Sequence, residues 1–295
     1  MKTIILAAWK WTRLMPLTEN KPKPMVKIVN KPILAHILDS IENFTNDVVI
    51  ITKYKEEQIK NYFWKKYKNI NISYKTQSDS KWTASALWGL DFDEDFIVLN
   101  WDTIYSSSDL EKLYKLEGYG CLVKEVEEPQ NYGIFEQDEE GFAVSVVEKP
   151  QEYIWNLANM WVYKFPKEFL KIGENVQVSP RGEYELPDAI NTLLETTKYK
   201  LIKQEKDFID VGYPKHILQA NKYLLEKMWE KNLIWEDIFV WNSVKLGNNV
   251  VVWKNCKIKW DIELENIQIC DNVILDKDWV YKNTIIYENG VVDID

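Results

Sequence analysis

Toward the C-terminus, apolar residues recur every six positions. One series runs Val240, Leu246, Val252, Ile258, Leu264 and Cys270. A second, in another phase, runs Val244, Val250, Cys256 and Ile262, breaks at Gln268, and resumes at Ile274, Val280, Ile286 and Val292. Helices repeat at about 3.6 residues and strands at about two. A sustained period of six is instead read as one flat side of a triangular coil per repeat, so residues 237–295 are expected to form a short left-handed parallel β-helix. The competing reading, ordinary strands that drift into this register, requires every consecutive match to arise independently.

Residues 1–230 read differently. Strand-like segments (2–8, 47–52, 72–77, 96–100) alternate with amphipathic or helix-like ones (33–44, 56–67, 83–90, 109–116). That alternation is the mark of an α/β domain, with a mostly parallel Rossmann-like sheet flanked by helices. Strands dominate from Cys121 to Phe165, with a hairpin expected at Glu139-Glu140-Gly141, and helix returns over 185–196 and 215–229. The chain of 295 residues, 46% of them hydrophobic, suffices for both domains to have a core. No apolar run of about 18 residues occurs, so no membrane-spanning helix is expected. Met1 to Ala8 reads as a first strand, not a signal peptide. Three scattered cysteines (Cys121, Cys256, Cys270) point to a reducing compartment, the cytoplasm.

The net charge of −9 argues against general nucleic-acid binding. Residues 1–31 nevertheless hold seven cations and a single acid, Glu19. Such a segment suits a small polyanionic ligand, and it is also what a solvated lysine-rich surface looks like.

Glycine is scarce and tryptophan abundant. Ordinary usage of about 7% predicts roughly 20 glycines in this length; the chain has 10, against 14 tryptophans. Some tryptophans are therefore read as standing at glycine positions. In the repeat, the residues after the first series are Trp241, Gly247 and Trp253, which puts tryptophan at corners where a tight turn favours glycine.

The residues after the first strand are Ala8-Trp9-Lys10-Trp11-Thr12-Arg13, followed by Lys21-Pro22-Lys23-Pro24. Further on come Gln77 with Trp82-Thr83-Ala84, Leu99-Asn100-Trp101-Asp102, Asn131-Tyr132-Gly133, Val147-Glu148-Lys149-Pro150, Asn159-Met160-Trp161-Val162-Tyr163, Glu183 to Asp188, and Asp210-Val211-Gly212. In this order they resemble the motifs of the NTP-dependent sugar-1-phosphate nucleotidyltransferases over about residues 1–228. The departures are Trp9, Trp11, Trp82, Trp101 and Trp161, where that pattern has glycine, with Trp155 a looser case.

The resemblance implies one reaction: a sugar 1-phosphate oxygen attacks the α-phosphate of an NTP, and pyrophosphate leaves. It implies that Arg13 and Lys23 stabilise the phosphates and that Asp102 and Asp210 hold Mg²⁺. Ala8, Trp9, Trp11, Thr12, Gln77 and Trp82 fall at nucleotide-binding positions. Tyr132, Gly133, Glu148, Lys149 and Asn159 fall at sugar-phosphate positions. Taken singly, each has a plainer reading, since an aspartate after a strand is usually a turn or cap residue and a lysine is usually solvated.

A phosphate loop uses glycine because backbone N–H groups must approach the ligand closely. Indoles at 9, 11, 82 and 101 are therefore expected to abolish or severely impair activity. Two rival readings are a non-catalytic sugar-phosphate or nucleotide-binding relative and a β-helix acyltransferase. The only histidines, His36 and His216, lie outside the repeat, which argues against a histidine-dependent acyltransferase site there. The expected partners are an NTP and a sugar 1-phosphate, with no nucleic acid and no membrane, and a homo-oligomer could form through the β-helix.

Overall fold

The computed structural model describes all residues except 9–12, 30, 78–81, 180, 181, 183, 207, 236, 237, 260, 278 and 295, and the side chains of residues 82 and 83. Two compact units are present. One comprises Met1–Lys10, Ile37–Trp101 and Tyr105–Phe208; the other comprises Trp11–His36, Asp102–Ile104 and Ile209–Asp295.

The first unit is built on a ten-stranded mixed sheet. Its principal strands are β1 (Lys2–Leu6), β2 (Asp47–Thr52), β3 (Ile70–Thr76), β4 (Phe96–Asn100), β5 (Tyr119–Glu125), β6 (Gly133–Gln137), β7 (Ala143–Glu148), β8 (Leu157–Phe165) and β9 (Tyr199–Lys203). The order β7-β6-β8-β4-β1-β2-β3 ends in a short antiparallel edge strand, Lys66–Tyr67, while β5 pairs with both β8 and β9. β1 runs parallel to β2 and β4, and β2 parallel to β3. β8 is antiparallel to β4, β5 and β6. The parallel strands are apolar along nearly their whole length, because both of their faces are covered: Ile4, Ile5, Val48, Ile50, Ile97, Val98 and Leu99 have no exposed surface. Helices α1 (Ile33–Ile41), α2 (Glu56–Phe63), α3 (Ser107–Tyr114), α4 (Leu186–Leu194) and α5 (Pro214–Lys227) lie between strands in the sequence. No helix among the described residues is long and apolar enough to cross a membrane.

The helix read over 83–90 is a single turn, Trp82–Ser85, and the chain then bends to Gly89 at φ 66°. The expected hairpin is present: β6 and β7 are antiparallel, with Gly141 at φ 77° between them.

In the second unit, the C-terminal region is strand-rich and stacks in parallel. Asn232–Ile234, Val250–Val252, Glu263–Ile269 and Val280–Tyr287 form one ladder; Phe239–Val240, Lys257–Ile258 and Ile274–Leu275 form another. The first steps are 18 residues long (Asn232 opposite Val250, Lys245 opposite Glu263) and the later ones 17 (Val250 opposite Ile267, Glu263 opposite Val280). The link from Leu264 to Ile267 is one residue shorter than that from Leu246 to Val250. A one-residue slip turns the following side chains to the other face. Ile274 and Val280, expected inside, are therefore exposed, while Val273 and Leu275 join the core and Ile286 lies in it as expected. The last strand, Gly290–Asp293, folds back antiparallel on Val280–Tyr287.

The corners of these ladders are asparagines. Asn249, Asn255, Asn266, Asn272 and Asn283 all have positive φ, and asparagine tolerates that region better than other L-residues. Their amides stack: Asn249 donates to Asn266, Asn266 to Asn283 at 2.7 Å, and Asn255 to Asn272 at 3.1 Å.

The tryptophans divide by backbone. Trp161 (φ 58°) and Trp64 (φ 52°, ψ −137°) hold conformations that favour glycine. So does Trp229 (φ 58°), whose sequence context looks merely helical; it follows the C-terminus of α5 and is 95% exposed, the position where glycine commonly closes a helix. Trp241 and Trp253 do not have positive φ, so the corner argument fails for them, and Trp253 is buried.

Candidate active site

In α/β sheets, ligands bind beyond the carboxyl ends of parallel strands, where neighbouring crossovers leave in opposite directions. β1 lies between β2 and β4, so the segments leaving β1 and β4 are the candidates. β1 is followed by Ala7 and Ala8, both buried. Trp9, Trp11 and Thr12 lie outside the described residues, as does the Trp82 side chain. β4 is followed by Trp101, which is buried and whose backbone N–H donates to Asn100 Oδ1 at 3.1 Å.

The second unit assembles charged residues from three distant stretches. Pro22 and Pro24 flank Lys23, fixing the local φ, and Lys23–Met25 makes one 3₁₀ turn closed by Val26 N–H to the Lys23 carbonyl at 2.9 Å. Lys23 is 1% exposed. A buried ammonium needs a counter-charge, and Lys23 Nζ donates to Asp102 Oδ2 at 3.1 Å. Thr103–Ile104 pairs antiparallel with Ile209–Asp210, and Val211 N–H donates to the Asp102 carbonyl at 2.9 Å. This small ladder brings the stretch bearing Asp102 beside the one bearing Asp210.

Burial and then the Asp102 carboxylate push Asp210 up to about 6, while Lys23 and Arg13 draw it down. Asp210 is exposed, so water screens part of this interaction. A carboxylate raised by burial and by a second carboxylate beside it marks a donor set rich in negative charge. Mg²⁺ is held by one or two carboxylates plus waters and substrate phosphates, so this pair fits that ion. No cluster of three or more metal-ligating side chains occurs among the described residues.

Arg13 is exposed, with its guanidinium carbon 5.6 Å from the centre of the Tyr213 ring. Tyr213 meets His216 edge-on at 5.5 Å, and Gly212 N–H donates to His216 Nδ1 at 3.1 Å. Tyr213 and His216 carry no motif that sequence reasoning could have used; only the fold puts them beside Arg13 and the Asp210 turn.

The first unit holds the remaining candidates. Gly133 opens β6 directly opposite Glu148. A Cβ on Gly133 would lie 2.8 Å from Glu148 Oε2 and 3.6 Å from Asn159 Cβ, so a larger residue there would push the Glu148 carboxylate aside. Lys149 has φ 48°, is exposed, and donates its N–H to the Tyr132 carbonyl at 2.9 Å. Asn159 is closed off from solvent. Its Oδ1 accepts Trp161 N–H at 3.0 Å, and its Nδ2 donates to the Tyr163 hydroxyl at 2.6 Å. These bonds sit in a bulge where Asn159 to Tyr163 on β8 oppose only Val123 to Cys121 on β5. Bulges re-aim side chains and often need glycine, which accounts for the positive φ at Trp161. Gln77, buried at the end of β3, donates from Nε2 to Ser85 Oγ at 3.0 Å. The structure thus gathers Lys23, Asp102, Asp210 and Arg13 in one unit, and Tyr132, Gly133, Glu148, Lys149 and Asn159 in the other, with Ala8 and Gln77 also in the latter.

A profile of the nucleotidyl transferase family matches residues 2–227. The bifunctional protein GlmU of Methanocaldococcus jannaschii is 43% identical over 230 residues, which are 77% of this chain and 55% of that protein. The chain thus spans about half the length of such relatives. The UTP–glucose-1-phosphate uridylyltransferase AglF of Haloferax volcanii is 34% identical over 237 residues, 98% of its length. A solved UDP-glucose pyrophosphorylase with UDP-glucose shares the fold at TM-score 0.70 and 24% identity, covering 77% of this chain and 98% of that one. By the profile match and these identities, the chain belongs to the nucleotidyl transferase family.

Proposed function

We propose that this chain carries the framework of an enzyme that transfers a nucleotidyl group from an NTP to a sugar 1-phosphate. An oxygen of the sugar phosphate forms a bond to the α-phosphorus, the bond to the bridging oxygen breaks, and pyrophosphate leaves with that electron pair. The observation that carries this reading is the buried Lys23–Asp102 pair beside Asp210 in a member of this family.

Such a transfer asks the protein for positioning and charge. Arg13 binds phosphate oxygens as a planar, permanently charged fork, and its packing on Tyr213 narrows its range of poses. Lys23 exchanges the Asp102 carboxylate for an α-phosphate oxygen. Asp102 and Asp210 hold Mg²⁺, which when bound neutralises phosphate charge. Lys149 serves the sugar phosphate, Glu148 and Asn159 the sugar hydroxyls, with Tyr132 and Gly133 shaping their surroundings. Ala8, Thr12 and Gln77 serve the nucleotide. Full burial of Asn159 means that a sugar reaches it only after a neighbouring side chain moves. We read the C-terminal ladders as coils of a short left-handed parallel β-helix, and a homo-oligomer through that region as its accompanying assembly.

In this sequence, Trp9, Trp11, Trp82 and Trp101 replace the glycines that the reaction uses, and activity is lost or severely impaired. The test is pyrophosphate release with Mg²⁺, NTPs and sugar 1-phosphates, comparing the chain with a variant in which those four residues are glycine. Turnover by the variant alone supports both halves of the reading. Equal turnover by the parent refutes the impairment, and no turnover by either refutes the assignment of reaction.

A further inference from the structure

Gln268 lies in register between the buried Val251 and Ile285, on the face of the ladder opposite the one that carries Ile267 and Ile269, and is 2% exposed. A polar side chain inside an apolar stack is costly unless bonded. Gln268 Oε1 accepts from Asn221 Nδ2 at 2.9 Å. Asn221, fully buried on α5, in turn accepts the Val29 N–H at 2.8 Å through Oδ1. Val29 has φ 53°, a conformation that β-branched residues rarely adopt. It lies in the turn between the paired strands Lys27–Ile28 and Lys31–Pro32. The carbonyl just before it, that of Ile28, contacts His36 Nε2 at 2.9 Å.

A second link is independent of the first. Lys27 Nζ reaches both oxygens of Asp271, at 2.7 and 3.0 Å, and lies 4.6 Å from the centre of the Trp253 ring. Asp271 and Trp253 belong to the same stacked C-terminal region as Gln268. Residues 27 and 29 are therefore tied to that region by two routes, and Lys23 begins the 3₁₀ turn that leads directly into them.

We propose that the C-terminal ladder is a positioning element for the phosphate-binding turn: Gln268 and Asn221, with Lys27 and Asp271, set the register of residues 26–29 and through them the placement of Lys23. The polar residue between Val251 and Ile285 is then the point of coupling. This rests on the reading of Lys23 as a phosphate ligand.

The experiment compares the full chain with Gln268→Leu, the double variant Asn221→Leu/Gln268→Leu, Lys27→Met and Lys23→Met. Amide hydrogen exchange reports on residues 26–29. Calorimetry measures binding of pyrophosphate with Mg²⁺ and, separately, of glucose 1-phosphate. Replacing both partners of a buried hydrogen bond by apolar groups can leave stability nearly unchanged, so the double variant separates loss of the link from loss of fold.

In Gln268→Leu and the double variant, amides 26–29 are expected to exchange about tenfold faster while strands 96–100 and 250–252 keep their protection. Pyrophosphate affinity is expected to fall about tenfold, with glucose 1-phosphate affinity within about twofold of the parent. Lys27→Met, a half-buried site whose loss threatens folding less, is expected to show the same pattern at smaller amplitude. Unchanged exchange at 26–29 overturns the proposal, as does an equal loss of both ligands, which would mark a general destabilisation. Unchanged pyrophosphate affinity in Lys23→Met instead overturns the reading of Lys23 beneath it.

Discussion

Lys23→Met tests the charge arrangement of the site directly. The lysine side chain has no exposed surface and that of Asp102 is 8% exposed. Methionine preserves the stem and removes the ammonium, leaving Asp102 beside Asp210 without that counter-charge. Removing one partner of a buried ion pair costs about 3–5 kcal/mol. At roughly 2–4 °C per kcal/mol for a chain of this class, a loss of about 3 kcal/mol lowers the unfolding midpoint by about 6–12 °C. The variant should also respond more strongly to magnesium than the parent does, because Lys23 no longer competes for Asp102. A ligand at about one hundred times its Kd restores about 2.7 kcal/mol, so saturating MgCl₂ should recover most of the deficit. The assay is thermal unfolding by circular dichroism, with and without MgCl₂, with CaCl₂ as a control for size selectivity. A midpoint within about 1 °C of the parent, or equal magnesium shifts in parent and variant, would refute the reasoning.

Three further outcomes are expected. Trp64→Gly and Trp229→Gly should each raise stability by about 1 kcal/mol in denaturant titrations, because strain at positive φ is relieved and little packing is lost from exposed indoles; Trp88→Gly should do the opposite, since its indole N–H bonds the Gly173 carbonyl at 2.8 Å and its ring meets Tyr184. Burial, with the Lys31 charge, pushes His36 down to about 4. The unfolded chain therefore takes up a proton below about 6.5 while the folded one does not, and stability falls by up to about 3 kcal/mol as pH drops from 6.5 to 4; His36→Gln should flatten that part of the pH–stability curve. Gly133→Ala should displace Glu148, its neighbour at 2.8 Å from the added carbon, and weaken glucose 1-phosphate binding by calorimetry by at least about 1 kcal/mol while leaving pyrophosphate binding as in the parent.

Much of the fold was legible because its signals are local. The strands over 47–52 and 96–100 fall where their Val- and Ile-rich runs place them, since strands covered on both faces must be apolar throughout. The ordered motifs also marked Lys23, Asp102, Asp210, Gly133 and Glu148. The misses were those that depend on distant partners. The slip from 18 to 17 residues between Leu264 and Ile267 cannot be read from periodicity alone, and it reverses Ile274 and Val280. Tyr163 supports Asn159 only because a bulge on β8 turns both to one side. Tyr213 and His216 matter through Arg13 and Gly212, far away in sequence or visible only in the turn's geometry. The left-handed conformation at Trp229 is not legible either, because a helix pattern says nothing about the residue that closes it.

The asparagine corners have a consequence for how this chain tolerates its own composition. A stacked fold that turned on glycine would lose its geometry if glycine were replaced throughout. Here the left-handed corners at 249, 255, 266, 272 and 283 are supplied by a different residue, and their amides bond from one layer to the next. The left-handed positions held by tryptophan are thus unevenly distributed: Trp64, Trp161 and Trp229 all precede the C-terminal stack, whose left-handed corners are asparagines. Strain from a bulky side chain at positive φ therefore falls outside the stack, and its corners carry none of it.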